Sequence, residues 1–97
     1  MKVLWTEDAV SDLKDLLSYI AQSSPKGAAT VAASIEATVA QISQFPNAGR
    51  RDLETGCRER IVGRFPILIV YLIHPEMVEI IAVFHTSRDP ASKRSAK

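Results

Sequence analysis

Ile67-Leu68-Ile69-Val70-Tyr71-Leu72-Ile73 is apolar at odd and even positions alike. Side chains of a strand alternate between the two faces of its sheet, so this run asks for cover on both. It is far too short to span a bilayer, and its β-branched and aromatic content favours a strand. The run therefore reads as the central strand of a sheet. After a turn at His74-Pro75-Glu76-Met77, Val78-Glu79-Ile80-Ile81-Ala82-Val83-Phe84 adds a last strand with the same apolar surplus. Upstream, residues 58–62 read as a strand, Gly63-Arg64 as a tight hairpin turn and residues 65–73 as the return. Pro66 cannot donate to a sheet ladder and belongs at the start of that strand or at a bulge.

Ahead of the sheet lie two helical patterns. Val3-Leu4-Trp5 reads as a short first strand. Thr6 is a helix N-cap followed by Glu7 and Asp8, where the helix dipole favours acids. Trp5 and Val10 are placed for a hydrophobic staple. Val10, Leu13, Leu17 and Ile20 repeat at helical spacing, with Asp12 and Asp15 on the other side, and the helix stops near Gln22. Ser24-Pro25 opens a second helix, cap followed by proline at the first helical position. Its apolar stripe is Val31, Ile35, Val39 and Ile42, its other positions are rich in alanine, and Phe45-Pro46 ends it. The short link predicts an antiparallel helical hairpin. Residues 47–57 read as a loop, with an unusual backbone angle expected at Gly49.

At 97 residues the chain is expected to form one domain, 1–97, with residues 89–97 a polar, frayed tail. A composition 46 % apolar and 24 % charged is globular and excludes the disordered class. A net charge of +1 announces no nucleic-acid binder. The charge is unevenly placed, however. Through Gly49 acids outnumber bases. From Arg50 onward Arg50, Arg51, Arg58, Arg60, Arg64, Arg88, Lys93, Arg94 and Lys97 outnumber the acids. An anionic partner should meet the sheet half. Cys57 is alone, which rules out an internal disulfide and a cysteine zinc site. No signal-peptide pattern opens the sequence, and a cytoplasmic location is expected. No metal-ligand cluster, phosphate loop or nucleophile triad is visible, and no cofactor is expected.

Two short helices can cover one face of the sheet. An apolar second face on so small a domain is a partner site. The alternative is a curled sheet whose Ile and Phe side chains pack on the loop 47–57. His85, at the end of the last strand with Arg88 three residues on, reads either as a general base beside a phosphate ligand or as an anchor of its strand. Arg58, Arg60 and Arg64, near Arg50 and Arg51, either bind phosphates or carboxylates of a partner, or pair with Glu59, Glu54 and Asp52. Tyr71 reads as core with its hydroxyl satisfied at the margin. His74 reads as a solvated turn residue.

Taken in order, Trp5-Thr6-Glu7-Asp8-Ala9, Leu16-Leu17-Ser18-Tyr19-Ile20, Phe45-Pro46-Asn47-Ala48-Gly49-Arg50, Gly56-Cys57-Arg58-Glu59, Phe65-Pro66 with Tyr71, and Val83-Phe84-His85-Thr86-Ser87-Arg88-Asp89-Pro90 resemble the small toxins of the ParE/RelE superfamily, the ParE branch more than the RelE branch. The resemblance spans residues 2–89. It implies an α+β fold, an N-terminal helical hairpin packed on one face of a small antiparallel sheet. It implies the toxin half of a type II toxin–antitoxin pair, with a ParD-like antitoxin laid over the open sheet face. RelE-like members cut messenger RNA on the ribosome, using Arg and Lys side chains on the sheet. Their catalytic arginine in the central strand matches Leu68 here, and leucine cannot stabilise a pentacoordinate phosphate. ParE-like members instead bind DNA gyrase and trap its cleaved DNA complex, without chemistry of their own. Arg58, Tyr71, His85 and Arg88 match family positions and are the expected target- or partner-binding residues. The competing enzymatic expectation is a ribosome-dependent endoribonuclease using His85, Arg60, Arg64 and Arg88. A third is a non-toxic module that only binds an antitoxin.

Overall fold

A computed structural model describes residues 1–86. The elements run β1 (Lys2–Trp5), α1 (Glu7–Ser23), α2 (Pro25–Gln44), a 3-10 turn (Pro46–Ala48), β2 (Arg50–Arg51), β3 (Arg58–Ile61), β4 (Ile67–Ile73) and β5 (Met77–His85). The five strands form one sheet in the order β1-β5-β4-β3-β2. Three of its pairings are antiparallel; β1 lies parallel to β5. The two helices carry the chain from β1 at one edge of the sheet to β2 at the other, and the strands β2 to β5 bring it back until β5 lies beside β1 and parallel to it.

Both helices start where side chains cap them. Thr6 Oγ1 accepts from the Ala9 amide at 3.0 Å, and Ser24 Oγ accepts from the Gly27 amide at 2.8 Å, each satisfying an amide the helix leaves open. Ser24 also ends α1, its amide donating to the Ile20 carbonyl. One residue thus closes one helix and opens the next, which keeps the hairpin tight.

The α1 stripe is centred one position from the expected line. Ala9 and Leu16 are its buried residues, with Leu13, Leu17 and Ile20 beside them, while Val10 is outside the core. Asp12 does not face away. Its Oδ2 accepts from the Val83 amide of β5 at 3.1 Å. In α2 Val31, Ile35 and Ile42 are buried and Val39 packs at the core margin, as the spacing predicts; Thr38 joins them, its hydroxyl donating to the Ser34 carbonyl. These residues meet Ile67, Ile69, Tyr71, Val78, Ile80 and Val83 in one core.

Pro66 lies in the turn before β4, outside the ladder, where its carbonyl accepts from the Thr86 amide at 2.7 Å. Gly63 has φ +54°, a left-handed angle that the turn between β3 and β4 requires. Gly49 was expected to have an unusual angle and has none: φ is −73° and ψ 152°. Glycine is needed there because a Cβ would drive into the Tyr71 hydroxyl. The expected loop also contains β2, a two-residue strand paired with Arg58 and Glu59.

Candidate functional site

The cross-strand register sorts the sheet half into two faces, because directly paired residues point the same way. The rows Arg60–Ile69–Val83 and Arg58–Tyr71–Ile80–Trp5 face the helices. A bulge at Ile81, between the pairs Val70–Ala82 and Tyr71–Ile80, keeps this face apolar on both sides of the irregularity.

Tyr71 has no exposed surface. Its hydroxyl donates to the Pro46 carbonyl at 2.6 Å. Burial raises its pKa above the ordinary tyrosine value, against the opposing effects of the Gly49 backbone and the Arg58 and Arg60 charges. Arg58 Nη1 donates to the Gly49 carbonyl at 2.9 Å and the Asn47 carbonyl at 3.2 Å. Two of the residues expected to touch a partner therefore hold residues 46–49 against the sheet, and Tyr71 reaches the surface only through that loop.

The opposite face carries the rows Ile61–Leu68–Phe84, Arg50–Glu59–Val70–Ala82, Leu4–Glu79–Leu72 and Lys2–Met77. Its cations, Arg50 and Lys2, lie on the edge strands β2 and β1; no side chain that β3, β4 or β5 turns to this face is cationic. Two are carboxylates, Glu59 and Glu79. The Glu79 carboxylate lies 2.9 Å from Nε2 of His74, so His74 is engaged rather than simply solvated. Neither is this face the fully bare apolar plane the run suggested. Phe84 is 9 % exposed and Ala82 4 %, Leu68, Val70 and Leu72 are half-buried, and the open apolar residues are Leu4 at 45 % and Ile61 at 57 %.

On the helix side, a groove of about 380 Å³ opens between α2 and β3, lined by Ser34, Ala37, Thr38, Gln41, Arg60 and Ile61. Arg60 Nη2 donates to Gln41 Oε1 at 2.6 Å, and Nη1 is buried without an acceptor among the described residues. The sequence reading named Arg60 but missed its neighbours. The signal was present: Ser34, Thr38 and Gln41 recur at helical spacing beside the apolar stripe, a polar line on a face that must meet the sheet.

Arg64 is exposed in the turn between β3 and β4, and His85 pairs with Ile67 at the same end of the sheet. Arg60 sits further along β3, opposite Ile69 and across the central strand from β5. Arg88 lies outside the described residues.

Residues 3–90 match the family described as the ParE toxin of the type II toxin–antitoxin system, parDE. This chain belongs to the ParE toxin family. Among relatives of this ParE-family chain, the Toxin RelE2 of Caulobacter vibrioides is 30% identical over 87 residues, a match covering 90% of this chain and 97% of that protein. The solved structure described as the chromosomal ParDE TA system from P. aeruginosa matches with a TM-score of 0.76 at 23% identity, over 88% of this chain and 95% of that one. That likeness supports the fold: two helices against a five-stranded, mostly antiparallel sheet. As a member of the ParE family, the chain is the toxin component of a type II toxin–antitoxin system. No helix among the described residues is long and apolar enough to cross a membrane.

Proposed function

We propose that this ParE-family toxin binds DNA gyrase in the cytoplasm, traps its cleaved DNA complex without chemistry of its own, and is neutralised by a ParD-like antitoxin. The observation that carries the reading is the charge of the sheet face turned away from the helices. On this face the three inner strands β3, β4 and β5 turn out Glu59 and Glu79 and no cation, the cations Lys2 and Arg50 being confined to the edge strands β1 and β2, and Leu68 sits between Ile61 and Phe84. Cleaving RNA requires donors aimed at the charge that develops on phosphorus. Carboxylates and a leucine there work against it. Of the four positions that match the family pattern, we assign Arg58 and Tyr71 to holding the loop 46–49, and His85 and Arg88 to contact with the target.

Purified protein in a gyrase supercoiling assay tests this. Inhibition near stoichiometry is expected, with transcripts left intact in a translating extract. Full supercoiling activity at a large excess of the protein contradicts it. The name of the Caulobacter relative, RelE2, favours a second reading, ribosome-dependent RNA cleavage. Transcript cleavage in the extract, abolished by His85→Ala and Arg88→Ala, would establish that reading instead.

A further inference from the structure

The Arg60 guanidinium is poorly matched to its surroundings. Its planar fork suits two parallel acceptors of a carboxylate. Here Nη2 meets one neutral amide oxygen, that of Gln41, and among the described residues Nη1 meets none although it is shut away from water. A buried donor left open on a charged group is costly unless something supplies the acceptor. Gln41 is exposed, so its amide can swing aside without disturbing the core. The groove in front of Arg60 has room for a side chain and its neighbour.

We propose that this groove is a carboxylate pocket that receives one Asp or Glu side chain of the antitoxin. The carboxylate displaces the Gln41 amide and takes both terminal nitrogens of Arg60. An apolar residue next to it in the antitoxin packs on Ala37 at the rim of the groove. The charge of the site selects a monoanion borne on a peptide. Among the described residues Arg60 is the one cation of the lining. Gln41 lies in the last turn of α2, where the helix dipole is negative and disfavours a phosphate dianion. The rim is apolar and hydroxylic, without a second basic side chain among the described residues for a phosphodiester.

The inference rests on the reading that an antitoxin neutralises this protein, and the experiment separates the two. The probe is the small protein encoded by the reading frame adjoining this gene, with each Asp and Glu replaced in turn by Asn or Gln, measured by calorimetry against the full chain. Arg60→Met should weaken binding roughly 10- to 100-fold, as loss of one partner of a bidentate charge pair does. Arg60→Lys should restore only part of it, because an ammonium cannot fork. Gln41→Ala should tighten binding. One acidic replacement in the probe should weaken binding to the wild-type chain and add nothing on top of Arg60→Met. Circular dichroism and the melting temperature of Arg60→Met establish that it is folded. Should it fail to fold, Arg60→Lys and the coupling of the acidic replacements to Gln41→Ala carry the same comparison. Unchanged affinity of folded Arg60→Met overturns the pocket, and so does a loss coupled to no acidic residue of the probe. Competition by millimolar inorganic phosphate against the wild-type chain, absent with Arg60→Met, overturns the choice of a carboxylate. If the wild-type chain does not bind the probe at all, the antitoxin reading itself falls, and the pocket with it.

Discussion

The Tyr71 hydroxyl donates to the Pro46 carbonyl, and Gly49 lies against it without space for a side chain. Gly49→Ala should therefore destabilise the protein by about 1–3 kcal/mol through overpacking, read as a fall in the denaturant midpoint. Tyr71→Phe should cost about 1 kcal/mol for the lost hydrogen bond, more if the Pro46 carbonyl stays dry. Combined, the two should cost less than their sum, because removing the hydroxyl relieves part of the clash. A second residue-scale case is Asp12. Burial raises its pKa above 3.8; the Val83 amide opposes the shift, and the Asp8 and Asp15 charges add to it. A carboxyl whose folded pKa lies above its unfolded value opposes folding when ionised. That penalty is full above the folded value and is relieved as pH falls towards 3.8. Asp12→Asn should thus be at least as stable as wild type near neutral pH, with the difference closing below pH 3.8. Asp12→Ala should lose about 1–3 kcal/mol by leaving the Val83 amide without its acceptor. Thermal melts across pH measure both. The sequence marked Gly49 as special for the wrong reason. A turn glycine and a close-approach glycine look alike until the residue opposite is known, and Tyr71 is 22 positions away.

At the scale of elements, Thr6 ties three pieces together. It caps α1 through Ala9, its amide donates to the Ile80 carbonyl, and its hydroxyl reaches the Ile81 carbonyl at the bulge. Thr6→Ala should cost about 1–2 kcal/mol, near the top of the range for a lost cap, and Thr6→Ser should recover most of it. Hydrogen exchange at Ala9 checks that the loss is local. The helices, their caps and the long strands were legible because each carries its own period. Asp12 was not. Its helix position looks solvent-facing, and its acceptor role depends on the stretch of β5 beyond Ile80, where β1 no longer pairs with it. The strand β2 was not legible either, since Arg50-Arg51 has no alternation and is paired only because β3 passes beside it. The parallel pairing of β1 is likewise a product of topology.

For the whole molecule, the division that matters is between the two faces of the sheet. The helix hairpin seals one. The other keeps carboxylates and apolar side chains across its three inner strands, with Lys2 and Arg50 at the two edges and open residues at Leu4 and Ile61. The basic half seen in the sequence does not become a basic face across β3, β4 and β5. Arg58 is drawn inward to backbone carbonyls and Arg60 to the α2 groove. Charge counted along a chain does not say which side of a strand a residue takes, which is why the candidate arginines could not be sorted by sequence. If an antitoxin binds only the folded toxin, saturating amounts should raise the melting temperature in a concentration-dependent way; at about 100 times the Kd the gain is about 2.7 kcal/mol. The central claim is a toxin that acts by binding and holding its target. Its most direct test incubates the purified protein with gyrase, ATP and plasmid DNA, denatures the mixture, and scores linear DNA covalently linked to the enzyme. The account predicts that this cleaved complex accumulates with added toxin and disappears when antitoxin is present; no accumulation, with transcripts cut instead on translating ribosomes, would contradict it.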